Sequence, residues 1–280
     1  MRLACGNRAL DLTQPVVMGV LNVTEDSFSD GGRYGSQAAA LAHGLAMTEA
    51  GARIIDVGGE STRPGAAPVP VQQELDRVVP LIEALAVRAD AVISVDTMKP
   101  EVMRAALAAG AGMVNDVFAL RAPGALETVA ASSAAVCLMH MQGTPRTMQE
   151  NPHYHDVVAE VEQFLRRRAG ECEAAGIGAG RILLDPGFGF GKTMEHNLHL
   201  LAGLPRISAG PHPVLIGLSR KSMLGRLTGR PVGERLAGSL ALHSIGVLHG
   251  ARVVRAHDVR ETCDAVAVAW AVRAAQCAPS

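Results

Sequence analysis

Asp96, Asn115 and Asp185 are the residues from which a binding chemistry can first be read. Each stands directly after an apolar or β-branched run: Val92–Val95, Met113–Val114 and Arg181–Leu184. A carboxylate only accepts hydrogen bonds, whereas an asparagine side chain both donates and accepts. Gathered on one rim, the three would clamp the edge of an aminopyrimidinone, which presents adjacent N–H and NH2 donors, and a bidentate charge-assisted pair would fix its orientation. Each of them alone is equally suited to capping a helix N-terminus. Arg63, Arg220, Lys221, Arg255 and His257 stand at or just after comparable run ends and would supply a local positive field for an anionic substrate. Phe28, Phe188 and Phe190 also fall in such loops, in a chain with only five Phe, two Tyr and one Trp. They would either stack on a planar ligand or anchor the loops.

These residues need a scaffold that brings distant run ends together. Eight runs alternate with helical patterns: the three above, with Val16–Leu21, Arg53–Val57, Ala135–Met139, Val214–Leu218 and Arg252–Ala256. Asn22, Gly58-Gly59-Glu60, His140, Ser219-Arg220-Lys221 and His257-Asp258 close the other five. Buried parallel strands read as apolar runs because helices cover the sheet. Eight of them in alternation predict a (β/α)8 TIM barrel, whose chemistry sits at the carboxyl ends of the strands. The 280 residues match one such domain, spanning 1–280. Within residues 1–15, a hairpin turning at Gly6-Asn7 is expected to plug the amino-terminal end of the barrel. Helices are expected over 36–50, 71–90, 100–109, 123–132, 155–175, 195–204, 232–249 and 259–276. Pro80 is expected to kink the second. Gly51, Gly110 and Gly250 read as left-handed helix stops.

Several function classes are excluded. A formal net charge of −1 leaves no basic excess for a nucleic-acid surface. Cys5, Cys137, Cys172, Cys263 and Cys277 are odd in number and form no CxxC pair, so they read as free thiols, small core residues in a reducing cytoplasm. No apolar leader segment is visible, and runs such as Ala265–Val272 fall short of the ~18 residues of a membrane span. A cytoplasmic protein without membrane contact is therefore expected. The Asp185–Thr193 segment invites a P-loop reading, but Pro186 stands where that pattern requires glycine. His153-Tyr154-His155 has no further metal ligands beside it and reads as a solvated loop. A hard cation such as Mg2+, held by one side-chain oxygen and substrate phosphates, is compatible with the chain.

Two longer segments bring in a family. Met18–Gly32 closely resembles the first signature of dihydropteroate synthases, and Asp56–Gly65 resembles the second. The likeness continues through Ser94–Thr97, Asn115-Asp116, Met139–Gly143, Asp185–Phe190, Ser219–Ser222 and Arg255–Asp258. It implies a (β/α)8 enzyme, usually a homodimer, that condenses 6-hydroxymethyl-7,8-dihydropterin diphosphate with 4-aminobenzoate, uses Mg2+, and is inhibited competitively by sulfonamides. By the same resemblance, Asp96, Asn115, Asp185 and Lys221 would hold the pterin, and Asn22, Thr62, Arg63, Arg255 and His257 the diphosphate. Asn22 would also bind Mg2+. Pro64, Phe190, the Lys221 stem and Ser222 would meet 4-aminobenzoate. Lys221, Asp185, Asp30 and Phe28 would form the catalytic set, the last two closing the first loop. Val117-Phe118-Ala119-Leu120 departs from the family pattern at the pocket edge, where small residues are usual. A corrinoid-dependent pterin methyltransferase or a non-catalytic pterin holder would not be expected to keep both loop signatures beside Ser222.

Overall fold

The computed structural model describes residues 1–23, 32–61 and 66–277. Among them, β1 (Arg2–Cys5) and β2 (Arg8–Asp11) form the antiparallel hairpin, with Gly6 in the left-handed region at its turn. Eight parallel strands follow: β3 (Val16–Asn22), β4 (Ile54–Gly58), β5 (Val92–Asp96), β6 (Met113–Asp116), β7 (Ala135–Met139), β8 (Ile182–Asp185), β9 (Leu215–Gly217) and β10 (Val253–Ala256). Neighbours in sequence pair in order, β10 returns to β3, and a parallel bridge from Leu184 to Val214 closes β8 onto β9. This is the expected (β/α)8 barrel.

The strands alternate strictly, which the reading of plain apolar runs did not resolve. One parity faces the helices: Val17, Ile55, Ile93, Val114, Val136, Ile182, Ile216 and Val254 all join the large outer core. The other parity faces the axis. In the lower barrel it is apolar: Met18, Ile54, Val92, Met113, Ala135, Leu183, Leu215 and Val253 pack with Leu3, Cys5, Leu10 and Leu12 of the hairpin segment. The hairpin is thus the plug. Two residues further along β4, β5, β6, β8 and β10 the same inward parity becomes polar, with Asp56, Ser94, Asn115, Asp185 and Arg255, while β3, β7 and β9 carry Val20, Cys137 and Gly217 at that level. A period of 2 carries these side chains into the barrel as surely as it carries their neighbours out.

The helices are α1 (Gly32–Glu49), α2 (Val71–Arg88), α3 (Pro100–Ala108), α4 (Ala125–Ala130), α5 (Val157–Ala174), α6 (Met194–Ala202), α7 (Leu204–Ser208), α8 (Ser222–Thr228), α9 (Leu236–Leu248) and α10 (Val259–Cys277). The expected helix over 195–204 ends early, and Gly203-Leu204-Pro205 restarts it as α7. The one expected over 232–249 begins as a 3-10 turn, Val232–Glu234, before α9. Pro80 lies inside α2, which continues through it. Gly51, Gly110 and Gly250 end their helices with φ near +107°. In each case the next alanine donates back across the last turn, as Ala52 does to Met47 at 3.0 Å, and is itself buried. That geometry is a helix stop which leads straight into the next strand. No helix among the described residues is long and apolar enough to cross a membrane. Cys5, Cys137 and Cys172 are buried free thiols and Cys263 is partly buried.

Candidate active site at the barrel mouth

Arg255 organises the floor. Its Nε donates to Asp56 Oδ2 at 2.7 Å and its terminal nitrogen to Asp96 Oδ2 at 2.7 Å. Asn115 donates to the same Asp56 oxygen at 2.9 Å. Strands β4, β5, β6 and β10 are therefore tied by one charged network inside the barrel. Such a network is favourable only where its hydrogen-bonding groups are met. Here Asp56 Oδ1, Asp96 Oδ1 and Ser94 Oγ are buried without a partner. Burial pushes the Asp96 carboxyl up, and the Arg255 guanidinium opposes that shift. Asp56 was not expected as a site residue. It lies mid-run in Ile54-Ile55-Asp56-Val57, and only its inward parity reveals it.

Asp185 closes β8 on the far side. Its Oδ1 accepts from Gly187 N at 2.7 Å, and burial raises its pKa against the pull of Lys221, Lys192 and Arg255. Lys221 Nζ lies 4.3 Å from the Phe190 ring centroid, a cation–π contact. Burial pushes the Lys221 ammonium down to about 8, with Asp185 and Asp96 opposing and Arg255 assisting. Asp96, Asp185, Lys221 and Arg255, from separate strand ends, thus stand within one another's electric field. Phe188 is 1% exposed and packs in the outer core, so it anchors the loop, while Phe190 stays partly exposed beneath Lys221. Val117, Met139, Met141 and Met148 form a small apolar cluster against Phe190 and Phe118. Sequence reasoning singled out Val117, Phe118 and Phe190 but not Met139, Met141 and Met148, because nothing local marks a lone methionine as their neighbour.

The departure at Val117–Leu120 has a clear local structure. Asp116 accepts from Phe118 N and Leu120 N, both at 2.7 Å. Ala119 and Leu120 both take left-handed φ values, +55° and +54°, which cost energy for residues bearing a Cβ. Arg168 secures the turn by donating to both carbonyls. Burial raises Asp116 to about 6, and the two backbone N–H bonds oppose that shift.

At the rim, Asn22 is exposed, and its Oδ1 stands beside Gly58, whose missing side chain leaves it next to Asp96. His257 Nδ1 lies 2.9 Å from Ser219 Oγ. Ser222 is exposed on the first residue of α8. Arg220 does not contribute to a free positive field: its Nε and one terminal nitrogen form a bidentate pair with Asp258, at 3.1 and 2.5 Å. Its φ of +57° accompanies the outward turn that leaves Lys221 for the pocket. Phe28, Asp30, Thr62, Arg63 and Pro64 lie outside the described residues. The start of the second loop is nevertheless braced, since Lys99 bridges Glu60 and the buried Glu74 and Arg77 donates to Gly59 O.

Among the described residues no three His, Cys, Asp or Glu side chains group as a metal cage. His153 and His155 instead stack edge to face at 5.2 Å. A hard cation completed by phosphate oxygens needs only one or two protein oxygens, and Asn22 Oδ1 at the rim fits that demand.

Known proteins share this architecture. A family model described as "Pterin binding enzyme" matches residues 18–257. The dihydropteroate synthase of Escherichia coli (strain K12) is 52% identical over 276 residues, covering 99% of this chain and 98% of the relative. A Xanthomonas albilineans dihydropteroate synthase with 4-aminobenzoic acid superposes with a TM-score of 0.91 at 54% identity, covering 99% of both chains. The same organism's enzyme in complex with 7,8-dihydropteroate gives a TM-score of 0.89 at 51% identity over 100% of both chains.

Proposed function

The chain belongs to the dihydropteroate synthase family, and from that premise we propose that it joins 6-hydroxymethyl-7,8-dihydropterin diphosphate to 4-aminobenzoate, releasing diphosphate. One observation carries the assignment of roles: Asp96, Asn115, Asp185, Lys221 and Arg255 stand at one barrel mouth, with Arg255 bonded to Asp96 and Lys221 in the field of Asp185. Asp96 and Asp185 accept from the aminopyrimidinone edge, Asn115 offers a donor and an acceptor, and Lys221 donates to the ring's own acceptors. Met139 and Val117 give the ring an apolar surface.

Arg255, His257 and Asn22 would contact the diphosphate, and the family resemblance assigns Thr62 and Arg63 to the same group. Mg2+ held at Asn22 would neutralise charge on that group. The C–O bond to diphosphate breaks first, its electron pair leaving with the phosphate, and the electron-rich pterin carries the resulting positive charge. The cations of the rim favour the leaving anion. The 4-aminobenzoate nitrogen then forms the new C–N bond and releases its proton to solvent. Phe190 and the Lys221 stem would flank that ring, Ser222 would meet its carboxylate, and the family resemblance adds Pro64. By the family resemblance, Phe28 and Asp30 would keep water from the cation. Sulfonamides would compete for the arylamine position. The homodimer, the single domain over residues 1–280 and cytoplasmic location belong to the same proposal.

Supplying both substrates with Mg2+ should yield 7,8-dihydropteroate. Folded protein that forms none would overturn the assignment. The order of bond changes is tested separately, by scrambling of a bridging oxygen label in the pterin diphosphate without 4-aminobenzoate. Scrambling is expected, and its absence would contradict early departure of diphosphate.

A further inference from the structure

The loop from β8 to α6 is wound around a buried lysine, Lys192. Burial pushes its ammonium down to about 7 while Asp185 opposes that shift, so the charged form is the one present on the acid side. Lys192 is 3% exposed, and its Nζ donates to Gly187 O at 2.9 Å and to Phe190 O at 3.0 Å. His140 Nδ1 lies 3.0 Å from the same nitrogen. Burial pushes the His140 imidazole down to about 2, so the ring is neutral and its Nδ1 can accept. With the His140 carbonyl oxygen as a fourth, longer contact at 3.5 Å, the three N–H bonds of the ammonium are fully met. The rest of the loop is shaped to allow this. Gly187, Gly189 and Gly191 all take positive φ, and a Cβ at Gly187 would collide with the His140 carbonyl oxygen. Tyr154 Oη donates to Gly191 O at 2.7 Å, and Gln149 to Gly189 O at 2.7 Å.

The two ends of this winding are site residues. Gly187, whose carbonyl Lys192 holds, donates its N–H to Asp185. Phe190, whose carbonyl Lys192 also holds, carries the ring under Lys221. We propose that Lys192 is a positioning residue: its ammonium gathers the loop carbonyls and so sets Asp185 for the pterin edge and Phe190 for the arylamine. The proposal depends on the reading of the barrel mouth as a pterin site. It also gives the P-loop-like sequence a different meaning, since this lysine serves its own loop and not a phosphate.

Lys192 has a second effect through space. The charged or titratable groups facing Asp185 are Lys192 on its own loop, Lys221 at the start of α8, Arg255 on β10 and Cys137 on β7, with Asp96 of β5 behind Arg255. Lys192 is one of three cations favouring the ionised, accepting form of Asp185. Losing that charge lets Asp185 take a proton at higher pH.

The test is pterin affinity, measured by calorimetry across pH on the full chain with 6-hydroxymethylpterin as the probe. Lys192→Met, folded by circular dichroism, should bind about tenfold more weakly or worse. The acid limb of its affinity profile should move to higher pH. Lys192→Arg, which keeps the charge, should restore that limb. Lys192→Gln keeps two N–H donors for the loop carbonyls, so it remains informative where the methionine variant does not fold, and it should show the same shift. Folded Lys192→Met or Lys192→Gln with wild-type affinity and an unmoved acid limb would overturn the inference while leaving the site reading intact. Wild-type protein that binds no pterin would overturn both.

Discussion

The lower and upper halves of the barrel interior are built from the same strands with the same inward parity, yet they carry opposite chemistry. Below, Leu3, Leu10 and Leu12 of the hairpin segment press against Met18, Ile54, Val92 and Met113, all buried and all apolar. Above, Asp56, Ser94, Asp96, Asn115, Asp185 and Arg255 occupy the continuing positions, and three of their buried oxygens have no partner. The lower half satisfies itself by packing. The upper half is arranged for donors and anions that come from elsewhere. Folding stability and recognition are therefore separated along the barrel axis, and each can be disturbed without the other.

The network around Arg255 should be the exception, because it belongs to both. Arg255→Met leaves Asp56 and Asp96 buried without their shared counter-ion, and breaking such a pair costs about 3–5 kcal/mol. Chemical denaturation should show that loss, with pterin binding lost too. Adding Asp56→Asn and Asp96→Asn should recover stability but not binding. Recovery of both would mean the floor is only structural. Leu3→Ala removes a plug residue with no exposure and should cost about 2–5 kcal/mol of stability. Well below its melting temperature, its KM values and kcat should match wild type; a large change in either would show that the halves are coupled.

A pH series sharpens the comparison further. Burial raises Asp185 above the ordinary carboxylate range and lowers Lys221 to about 8. Protonating Asp185 removes an acceptor, so affinity for the pterin should fall on the acid side at a pH above the usual carboxylate range. Deprotonating Lys221 removes a donor, so affinity should fall again as pH rises past about 8. A flat profile between these limits and beyond would contradict both roles. Ser222→Ala should have the smallest effect, about 1 kcal/mol or less on binding of 4-aminobenzoate or a sulfonamide, because the backbone N–H groups of the first α8 turn remain. Its effect on pterin affinity should be nil.

Much of this division was legible in the sequence, and the exceptions have physical reasons. Asn22, Asp96, Asn115 and Asp185 interrupt apolar runs, so their placement at strand ends could be read directly. Asp56 lies inside such a run and needs the alternation of β4 to be seen as inward. Arg220 and Lys221 are adjacent and alike in charge. Only the left-handed turn at Arg220 and its pairing with Asp258 send one outward and leave the other for the pocket. Lys192 matched part of a phosphate-binding pattern, and no local signal indicates that its ammonium turns back into its own loop. Phe188 and Phe190 stand two residues apart, but only the loop's path separates the buried anchor from the partly exposed ring.

The most direct test is a calorimetric titration of 6-hydroxymethylpterin, which lacks the diphosphate, into wild-type protein and Asp185→Ala. The upper half of the barrel should lose about tenfold to a hundredfold in affinity through that single acceptor, while the unfolding transition stays close to that of wild type. Equal affinities in the two proteins would contradict the account.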